Sequence, residues 1–381
     1  MKKSPLALNR LIAHFVKQRK VNFRTTAFCV RTRNERGIPV MRGQIDNLRL
    51  KRELLVTIQK KSNAKVHDRT TVLPDRSVGD CPVGVVRLSA SNIYRRPSRS
   101  SGITTQALIG MTVRVLKHRR EWSLVKLPDG YIGWMDETLV SMTVPEHEAW
   151  MKKPKVIFIS PFALIYSRQD AGATVVGDAV SGNVFAFEGK SGSFAKLSYP
   201  DNRIGYVRKS DITPLISWTR AARDTPETIA KTARSFAGVP YLWGGTSPKA
   251  MDCSGFVKMV YFLNGVLLPR DANQQAQIGK PVLPGKSWEN LDTGDLLFFG
   301  KSSTRKTEIR DIVHVGISLG GDRFIHESGD VHCSSLHAGD PLHDHRLAST
   351  FCMARRIIGA GERAGVKRVR SCADWGGYER E

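Results

Sequence analysis

The sequence has few cysteines, and none are spaced as a metal or redox pair. Six cysteines are scattered through 381 residues without any Cys-x-x-Cys. Disulfide scaffolds and compact zinc modules need denser and more regular cysteines. One stretch, "HESGDVHCSSLHAGDPLHDH", is rich in histidine, but its spacings fit no compact zinc motif and we interpret it as a solvated loop. We therefore expect reduced thiols, no metal and no cofactor.

Long apolar runs are also missing. No run of 18 apolar residues is present, so no membrane span is predicted. The opening "MKKSPLALNRLIAHFVKQRK" is basic, but Arg10 and His14 interrupt its apolar part and no small-residue cleavage site follows. No export signal is recognisable, which leaves both the extracytoplasmic envelope and the cytoplasm open as the location.

Acidic side chains are scarce relative to basic ones. The chain has 59 Lys and Arg against 35 Asp and Glu, a net charge of +24, and residues 1–80 hold 19 basic against 6 acidic side chains. This field predicts a polyanionic partner for the N-terminal region, either an anionic envelope polymer or a membrane surface. No base-reading motif accompanies the charge, so nucleic acid is not predicted.

Residues 1–82 show the pattern of a basic N-terminal helix followed by a small α/β unit. Residues 21–30 and 38–45 alternate as strands do, residues 47–61 have an apolar helical period, and residues 69–74 resemble a third strand.

Residues 85–213 contain an internal repeat with a period of 72 residues. Its ungapped identities are Ile93/Ile165, Tyr94/Tyr166, Gly110/Gly182, Pro128/Pro200, Asp129/Asp201, Ile132/Ile204 and Gly133/Gly205. Each copy has short alternating strands broken by Pro-Asp-Gly or Pro-Asp-Asn turns, which predicts two small closed barrels at 83–142 and 154–214, joined by a polar link. They resemble bacterial SH3-like barrels, which usually bind or position a ligand.

A third folding unit is predicted to begin near residue 215. Asp224 or Thr225 can cap a helix that starts with Pro226 and stops at Gly238. A second helix begins at Cys253 and ends at Asn264-Gly265. Its N-terminal dipole is expected to lower the pKa of the Cys253 thiol and to favour a nucleophile.

The stretch "DIVHVGISLGGDRFIHESG" predicts two strands joined by a three-residue turn at Gly320–Asp322. With that register, His314 and His326 project from one face as near or diagonal neighbours. A thiol with two imidazoles forms a set of nucleophile, base and orienting residue.

Four segments, "GVPYLWGGTSPKAMDCSGF", "TGDLLFF", "IVHVGISLG" and "FIHESG", resemble in order and spacing the NlpC-class bacterial cell-wall cysteine peptidases. The resemblance covers residues 218–360 and implies an α+β papain-like domain, with 361–381 as an unassigned extension. The expected fold is therefore multidomain: an α/β unit, two all-β SH3-like barrels and an α+β peptidase domain.

The resemblance also implies roles for individual residues. Cys253 would be the nucleophile, His314 the base and then the acid, and His326 the residue that orients His314. Oxyanion or substrate contacts would come from Tyr241, Asp252, Ser254 and Tyr131. One departure is Arg96, which stands where relatives that bind a free N-terminal L-Ala commonly have an acidic side chain.

With two preceding SH3-like barrels, the chain resembles γ-D-glutamyl-L-diamino acid endopeptidases. The implied activity is hydrolysis of the γ-D-glutamyl-diaminopimelate bond in peptidoglycan stem peptides or muropeptides, by a monomer, in wall turnover or recycling. The alternative is a non-enzymatic wall-binding protein with a degenerate peptidase domain. The presence of Cys253, His314 and His326 argues against that alternative.

Overall fold

The computed structural model describes residues 5–62, 66–301 and 309–371. The chain forms two compact units, one from residues 1–84 and 113–147 and the other from residues 85–112 and 148–381. None of the helices within the described ranges is long and apolar enough to cross a membrane.

The first unit begins with an α/β sandwich. Its elements are α1 (Pro5–Gln18), β1 (Phe28–Glu35), β2 (Ile38–Ile45), α2 (Leu48–Ser62) and β3 (His67–Val72). The sheet has the order β1-β2-β3, with β1 antiparallel and β3 parallel to β2. Apolar side chains of both helices, among them Phe15 and Leu54, pack with Val30 and Met41. The predicted α/β unit is therefore present.

The first predicted strand was placed wrongly. Residues 23–26 form a turn, because the N–H groups of Thr25 and Thr26 donate to the carbonyl of Asn22, and the strand starts only at Phe28. Only the last three residues of the strand predicted at residues 21–30 belong to strand β1.

Short strands fill residues 83–142, as expected for a small barrel. They are β4 (Val83–Val86), β5 (Ser91–Tyr94), β6 (Ile103–Ala107), β7 (Thr112–Arg119), β8 (Trp122–Lys126), β9 (Ile132–Met135) and β10 (Leu139–Met142). Within the second unit β5 and β6 pair antiparallel, and within the first β7, β8 and β9 form an antiparallel meander.

The stretch interpreted as a polar link contains a helix, α3 (Val144–Lys152). Thr143 and Glu146 form a capping box: Glu146 accepts from the Thr143 N–H at 2.8 Å, and Thr143 Oγ1 accepts from the Glu146 N–H at 3.4 Å. The signal Thr-x-x-Glu was present in the sequence, but the polar composition outweighed it.

The second barrel follows α3 and lies wholly in the second unit. Its strands are β11 (Lys155–Phe158), β12 (Phe162–Tyr166), β13 (Val175–Val180), β14 (Val184–Ser191), β15 (Phe194–Ser198), β16 (Ile204–Arg208) and β17 (Ile212–Pro214). The strand order is β13-β12-β16-β15-β14-β11-β17. Phe158, Phe185 and Leu197 are completely buried in its core.

The 72-residue repeat is visible in the backbone. The Tyr131 N–H donates to Asp129 Oδ1, and the Arg203 N–H donates to Asp201 Oδ1. The residues between them, Gly130 and Asn202, have φ of +85° and +64°, a region that glycine and asparagine tolerate best. The repeated Pro-Asp turns therefore adopt the same local structure in both copies.

The C-terminal part is α+β. Its helices are α4 (Leu215–Ala221), α5 (Pro226–Arg234), α6 (Cys253–Leu263), α7 (Ala272–Gln275) and α8 (His345–Thr350). Its strands are β18 (Thr246–Ser247), β19 (Ala250–Met251), β20 (Val266–Leu267), β21 (Lys280–Val282), β22 (Leu296–Gly300), β23 (Ile312–Ser318), β24 (Arg323–Ser328), β25 (Asp330–Ser335), β26 (Phe351–Arg356) and β27 (Lys367–Arg368).

Helix α6 lies against a sheet of order β21-β26-β22-β23-β24-β25, with Phe256 and Val260 in one core with Val315 and Ile325. Helix α5 starts at Pro226 after the predicted Thr225 cap but ends at Arg234, before Gly238. Turns occupy the intervening residues, where the Phe236 N–H donates to the Ala233 carbonyl.

Candidate active site

Cys253 is the first residue of helix α6. The Asp252 side chain caps the helix by accepting from the Gly255 N–H at 2.7 Å, and the helix ends at Leu263 before Gly265 with φ of +81°. A Cβ on Gly255 would lie 2.0 Å from the carbonyl oxygen of Gly245, so only glycine allows the preceding loop to approach this closely. The predicted position of the thiol at a helix N-terminus is present, and Cys253 is 8 % exposed.

A buried ion pair fixes this helix start. Arg270, which is 2 % exposed, places Nη2 at 2.6 Å from Asp252 Oδ2 and Nη1 at 3.0 Å from Asp252 Oδ1. Its Nη1 also donates to Ser254 Oγ at 2.9 Å, and its Nε donates to Thr105 Oγ1 at 2.9 Å. Bidentate Arg-carboxylate pairs are geometrically strict, so Arg270 holds both neighbours of Cys253 in place.

The pKa of the Cys253 thiol differs from the expectation based on the helix dipole. Burial, together with the negative charge of Asp252, raises it to about 12, although the backbone of Val315, the positive charge of Arg270 and the backbone of Ser254 oppose the rise. The expected lowering is therefore wrong for the resting site. The reason is that the helix start is desolvated and its cap is a carboxylate.

His314 and His326 lie together, as the predicted hairpin register requires. Gly316 pairs with His326, and the Leu319 N–H donates to the Arg323 carbonyl, which closes a three-residue loop at Gly320–Asp322. His314 Nε2 is 2.9 Å from His326 Nδ1. Val315, the neighbour of His314, packs in one core with Cys253, so strand β23 lies against the start of helix α6.

Both imidazoles are neutral at pH 7. Burial is the main cause that lowers the pKa of His314 to about 4, with the charge of Arg346 adding to it. Burial and His314 also lower the pKa of His326. Because Nε2 of His314 is engaged by His326, Nδ1 is the ring nitrogen left to take the proton of the thiol.

A residue outside the sequence prediction completes this chain of contacts. Ser334 Oγ, on β25, is 3.1 Å from His326 Nε2 and buried. When His326 donates from Nε2 to Ser334, its Nδ1 accepts from His314 Nε2, and the Nδ1 lone pair of His314 stays free as a base. No pattern along the chain pointed to Ser334, because a serine in "VHCSSL" has no distinguishing neighbour.

The remaining predicted residues have different surroundings. Asp252 and Ser254 are both buried and bonded to Arg270, and as substrate contacts they stay predictions. Tyr241 is 39 % exposed, and its N–H donates to the Gly329 carbonyl. Burial, with the charges of Cys253 and Asp252, raises the pKa of its hydroxyl to about 12, so Tyr241 is a hydrogen-bond donor at neutral pH.

Two predicted positions lie in the segments that precede the C-terminal domain. Tyr131 is buried between β8 and β9 in the first unit, and its role as a pocket wall stays a prediction. Arg96 is exposed, its N–H bonded to Ser101 Oγ at 3.0 Å, and the departure from the acidic pattern stands.

Strand β6 supports the loop that leads to Cys253. Gln106 Oε1 accepts from the Thr246 N–H at 2.9 Å, and Thr105 Oγ1 lies 3.3 Å from Thr246 Oγ1 while bonding Arg270. In the part of the chain that the structure describes, no three His, Cys, Asp or Glu side chains are grouped to hold a metal ion.

This arrangement, a helix-start thiol facing a strand with a histidine pair, defines a papain-like cysteine peptidase site. Residues 238–346 match the model described as NlpC/P60 family, and residues 93–138 match that of the bacterial dipeptidyl-peptidase Sh3 domain.

Relatives of the chain agree with these matches. A gamma-D-glutamyl-L-lysine dipeptidyl-peptidase of Bacillus subtilis (strain 168) is 33 % identical over 232 residues, which are 59 % of this chain and 72 % of the relative. Dipeptidyl-peptidase 6 of Lysinibacillus sphaericus is 27 % identical over 276 residues, which are 70 % of this chain and 96 % of the relative.

A crystal structure of an NlpC/P60 family protein from Bacillus cereus ATCC 10987 has the same fold, with a TM-score of 0.60 at 21 % identity over 72 % of this chain and 99 % of that one. The chain belongs to the NlpC/P60 family. The predicted family, multidomain fold class and cysteine-type peptidase class are confirmed.

We expect Ser334→Ala to lower kcat about tenfold with little change in KM. Loss of the acceptor favours the His326 tautomer protonated at Nδ1, which turns the Nδ1 of His314 into an N–H. Ser334→Thr keeps a hydroxyl and should restore activity. Ser335→Ala, which removes a buried neighbouring hydroxyl bonded to Asp322 at 2.8 Å, is the matched control. Equal kcat losses in both alanine variants would contradict the role of Ser334.

Glu327 predicts a pH-dependent change in stability. It is completely buried, neither carboxylate oxygen has a hydrogen-bond partner among the described residues, and burial with Asp330 and Asp252 raises its pKa from 4.5 to about 8. The neutral form is the one the fold accepts, so its stability contribution is complete below pH 4.5 and is lost as the pH rises to about 8.

Glu327→Gln should therefore leave the free energy of unfolding nearly unchanged at pH 4 and raise it by about 2 kcal/mol at pH 8, measured by urea unfolding. Glu148→Gln, at an exposed position, is the control. A Glu327→Gln effect of the same size at both pH values would exclude a buried neutral carboxyl.

Proposed function

We propose that the chain is a peptidoglycan endopeptidase that hydrolyses the bond between γ-D-glutamate and the diamino acid of stem peptides or muropeptides. The observation that carries the proposal is that helix α6, which begins with the thiol of Cys253, packs on the strand that carries His314, and that His314 is hydrogen-bonded to His326. The name of the Bacillus subtilis relative, a gamma-D-glutamyl-L-lysine dipeptidyl-peptidase, supports this bond as the target.

The reaction follows from the protonation states. His314 Nδ1 takes the thiol proton as Cys253 Sγ attacks the γ-carbonyl carbon, and the carbonyl electrons move onto oxygen. The oxyanion would be held by the Cys253 N–H and the Tyr241 hydroxyl. His314 then gives its proton to the leaving amine as the C–N bond breaks. The acyl group stays on the Cys253 sulfur as a thioester, and the diamino acid is released.

In the second half of the reaction, water hydrolyses the thioester with His314 again as base and then as acid. Water gives a proton to His314 and attacks the thioester carbon, and the thiol leaves with the proton returned by the imidazolium. His326 and Ser334 keep the tautomer of His314 fixed throughout. Nucleophile, base and orienting residue all come from one domain, so we propose a monomer that acts without a cofactor and does not need nucleic acid.

Substrate selection is proposed to come from three sources. Ser254 and Asp252 lie on either side of the nucleophile, and Arg270, bonded to both, positions them. Tyr131 would wall the pocket. Because Arg96 replaces the acidic side chain that would pair with an ammonium group, we propose that a free N-terminal amine on L-Ala is not strictly required.

The test is hydrolysis of L-Ala-γ-D-Glu-L-Lys and L-Ala-γ-D-Glu-diaminopimelate, each with a free and an acetylated amine, followed by mass spectrometry. Wild type should release the diamino acid, and Cys253→Ala should lose activity at least a thousandfold because the nucleophile is absent. Cys333→Ala, which alters a thiol outside the site, is the control.

Two results would count against the proposal. Equal inactivity of wild type and Cys253→Ala on all four peptides would favour the alternative of a non-enzymatic wall-binding protein. Rapid cleavage of free-amine peptides with none of acetylated ones would contradict the inference from Arg96.

A further inference from the structure

The first unit presents a sheet face that carries arginines in register. Arg31 on β1 pairs with Arg42 on β2, and Arg42 pairs with Arg69 on β3, so three arginines stand side by side across three strands. Arg33 follows two residues after Arg31 and projects to the same side. All four are exposed, with the side chains of Arg42 and Arg69 at 50 % and 55 %. We name these four residues the arginine face.

The helices do not cover this side of the sheet. Helices α1 and α2 pack on the opposite side, against Val30, Met41 and Ile45, whose side chains alternate with those of the arginine face. Alternation along each strand thus divides the sheet into an apolar side under the helices and a side that carries the exposed arginines, on which Val40 is buried.

The charge of the arginine face is only partly balanced. Glu35 accepts from Arg42 Nε at 2.6 Å and from Arg69 Nη1 at 3.2 Å. The charge of Arg33 also acts on Glu35, so one carboxylate faces three arginines, and no ion pair to Arg31 is present among the residues that the structure describes. Like charges directly opposite one another across strands destabilise a sheet. The paired arginines therefore destabilise the free protein, and an anionic ligand would relieve their repulsion.

We propose that the arginine face binds a phosphodiester polymer of the bacterial envelope, a polyol phosphate chain. Guanidinium groups match phosphate with two parallel hydrogen bonds, and strands about 4.8 Å apart present them as an array that follows an extended polyanion. The choice of an envelope polymer rests on the proposed function, whereas the existence of a polyanion site rests on the arginine face alone.

Two other polyanions fit the surface less well. A nucleic acid would gain from aromatic side chains that stack on bases, and none of the described residues on this side of the sheet is Phe, Tyr or Trp. An anionic membrane would gain from apolar groups at the centre, but Val40, which pairs with Arg33 and His67, is 3 % exposed.

The test uses the full chain and measures Kd at 50 and 150 mM NaCl for labelled poly(glycerol phosphate), a mixed-sequence single-stranded DNA of 20 nucleotides, and vesicles of phosphatidylglycerol and phosphatidylcholine. The triple variant R31Q/R33Q/R69Q removes three charges from the arginine face. The control R49Q/R52Q/K60Q removes three exposed charges from α2, which packs on the other side of the sheet. Glu35→Gln removes the balancing carboxylate.

We expect the triple variant to bind poly(glycerol phosphate) at least tenfold more weakly. The slope of log K against log[NaCl] should become shallower by about 0.7 for each phosphate contact that is lost. The control should stay within twofold of wild type, and Glu35→Gln should bind about threefold more tightly. Hydrolysis of stem tripeptides, which takes place in the second unit, should be unchanged in the triple variant, and an unchanged urea-unfolding transition shows that its sheet is folded.

Equal losses in the triple variant and the control would overturn the site and leave only the net charge as the cause. Tighter binding of DNA or of vesicles than of poly(glycerol phosphate) would overturn the assignment of the ligand. If wild type binds the polymer through the arginines but hydrolyses no peptide, the proposed function fails and the arginine face stands.

Discussion

The site depends on the buried ion pair between Arg270 and Asp252. One bidentate pair of hydrogen bonds holds the carboxylate that caps helix α6, and the same carboxylate accepts from the Gly244 N–H at 2.9 Å. The helix start, the loop before it and Ser254 are therefore fixed by a single guanidinium. Removing one partner of such a pair would leave an uncompensated buried charge, which costs about 3–5 kcal/mol.

Burial and the Asp252 carboxylate also determine the protonation state of the nucleophile. The helix N-terminus by itself would favour a thiolate, but it is capped by a carboxylate and desolvated, and these two effects raise the pKa of Cys253. Burial lowers the pKa of His314 at the same time. The resting pair is therefore a neutral thiol and a neutral imidazole, and the thiolate forms only as the proton moves to His314 during attack. Ser334 and His326 matter because this mechanism requires the correct tautomer of a neutral base.

Local signals predicted much of this structure. The helix from Cys253 to Leu263, the three-residue turn at Gly320–Asp322 and the pairing of His314 with His326 follow from apolar period, glycine positions and strand alternation. The 72-residue repeat predicted matching turns at Asp129 and Asp201.

The sequence-based predictions failed where long-range contacts decide the structure and where two local signals pointed to different structures. Arg270 and Thr105 are separated by 165 residues, and no pattern along the chain connects them. The thiol pKa could not be inferred from the helix dipole because burial and the Asp252 charge are properties of the folded site. The sequence before the helix at Val144–Lys152 contains a capping box, but the polar composition of the segment suggested a link.

Thiolate absorbance at 240 nm measures whether Cys253 is protonated in the resting site. The difference between wild type and Cys253→Ser, followed from pH 5 to pH 10, isolates the ionisation of this one thiol from that of the other cysteines. We expect no thiolate step at or below pH 8, because burial and the Asp252 carboxylate hold the proton on sulfur. A step with a midpoint below pH 7 would contradict it and would show that the resting site is a thiolate-imidazolium pair.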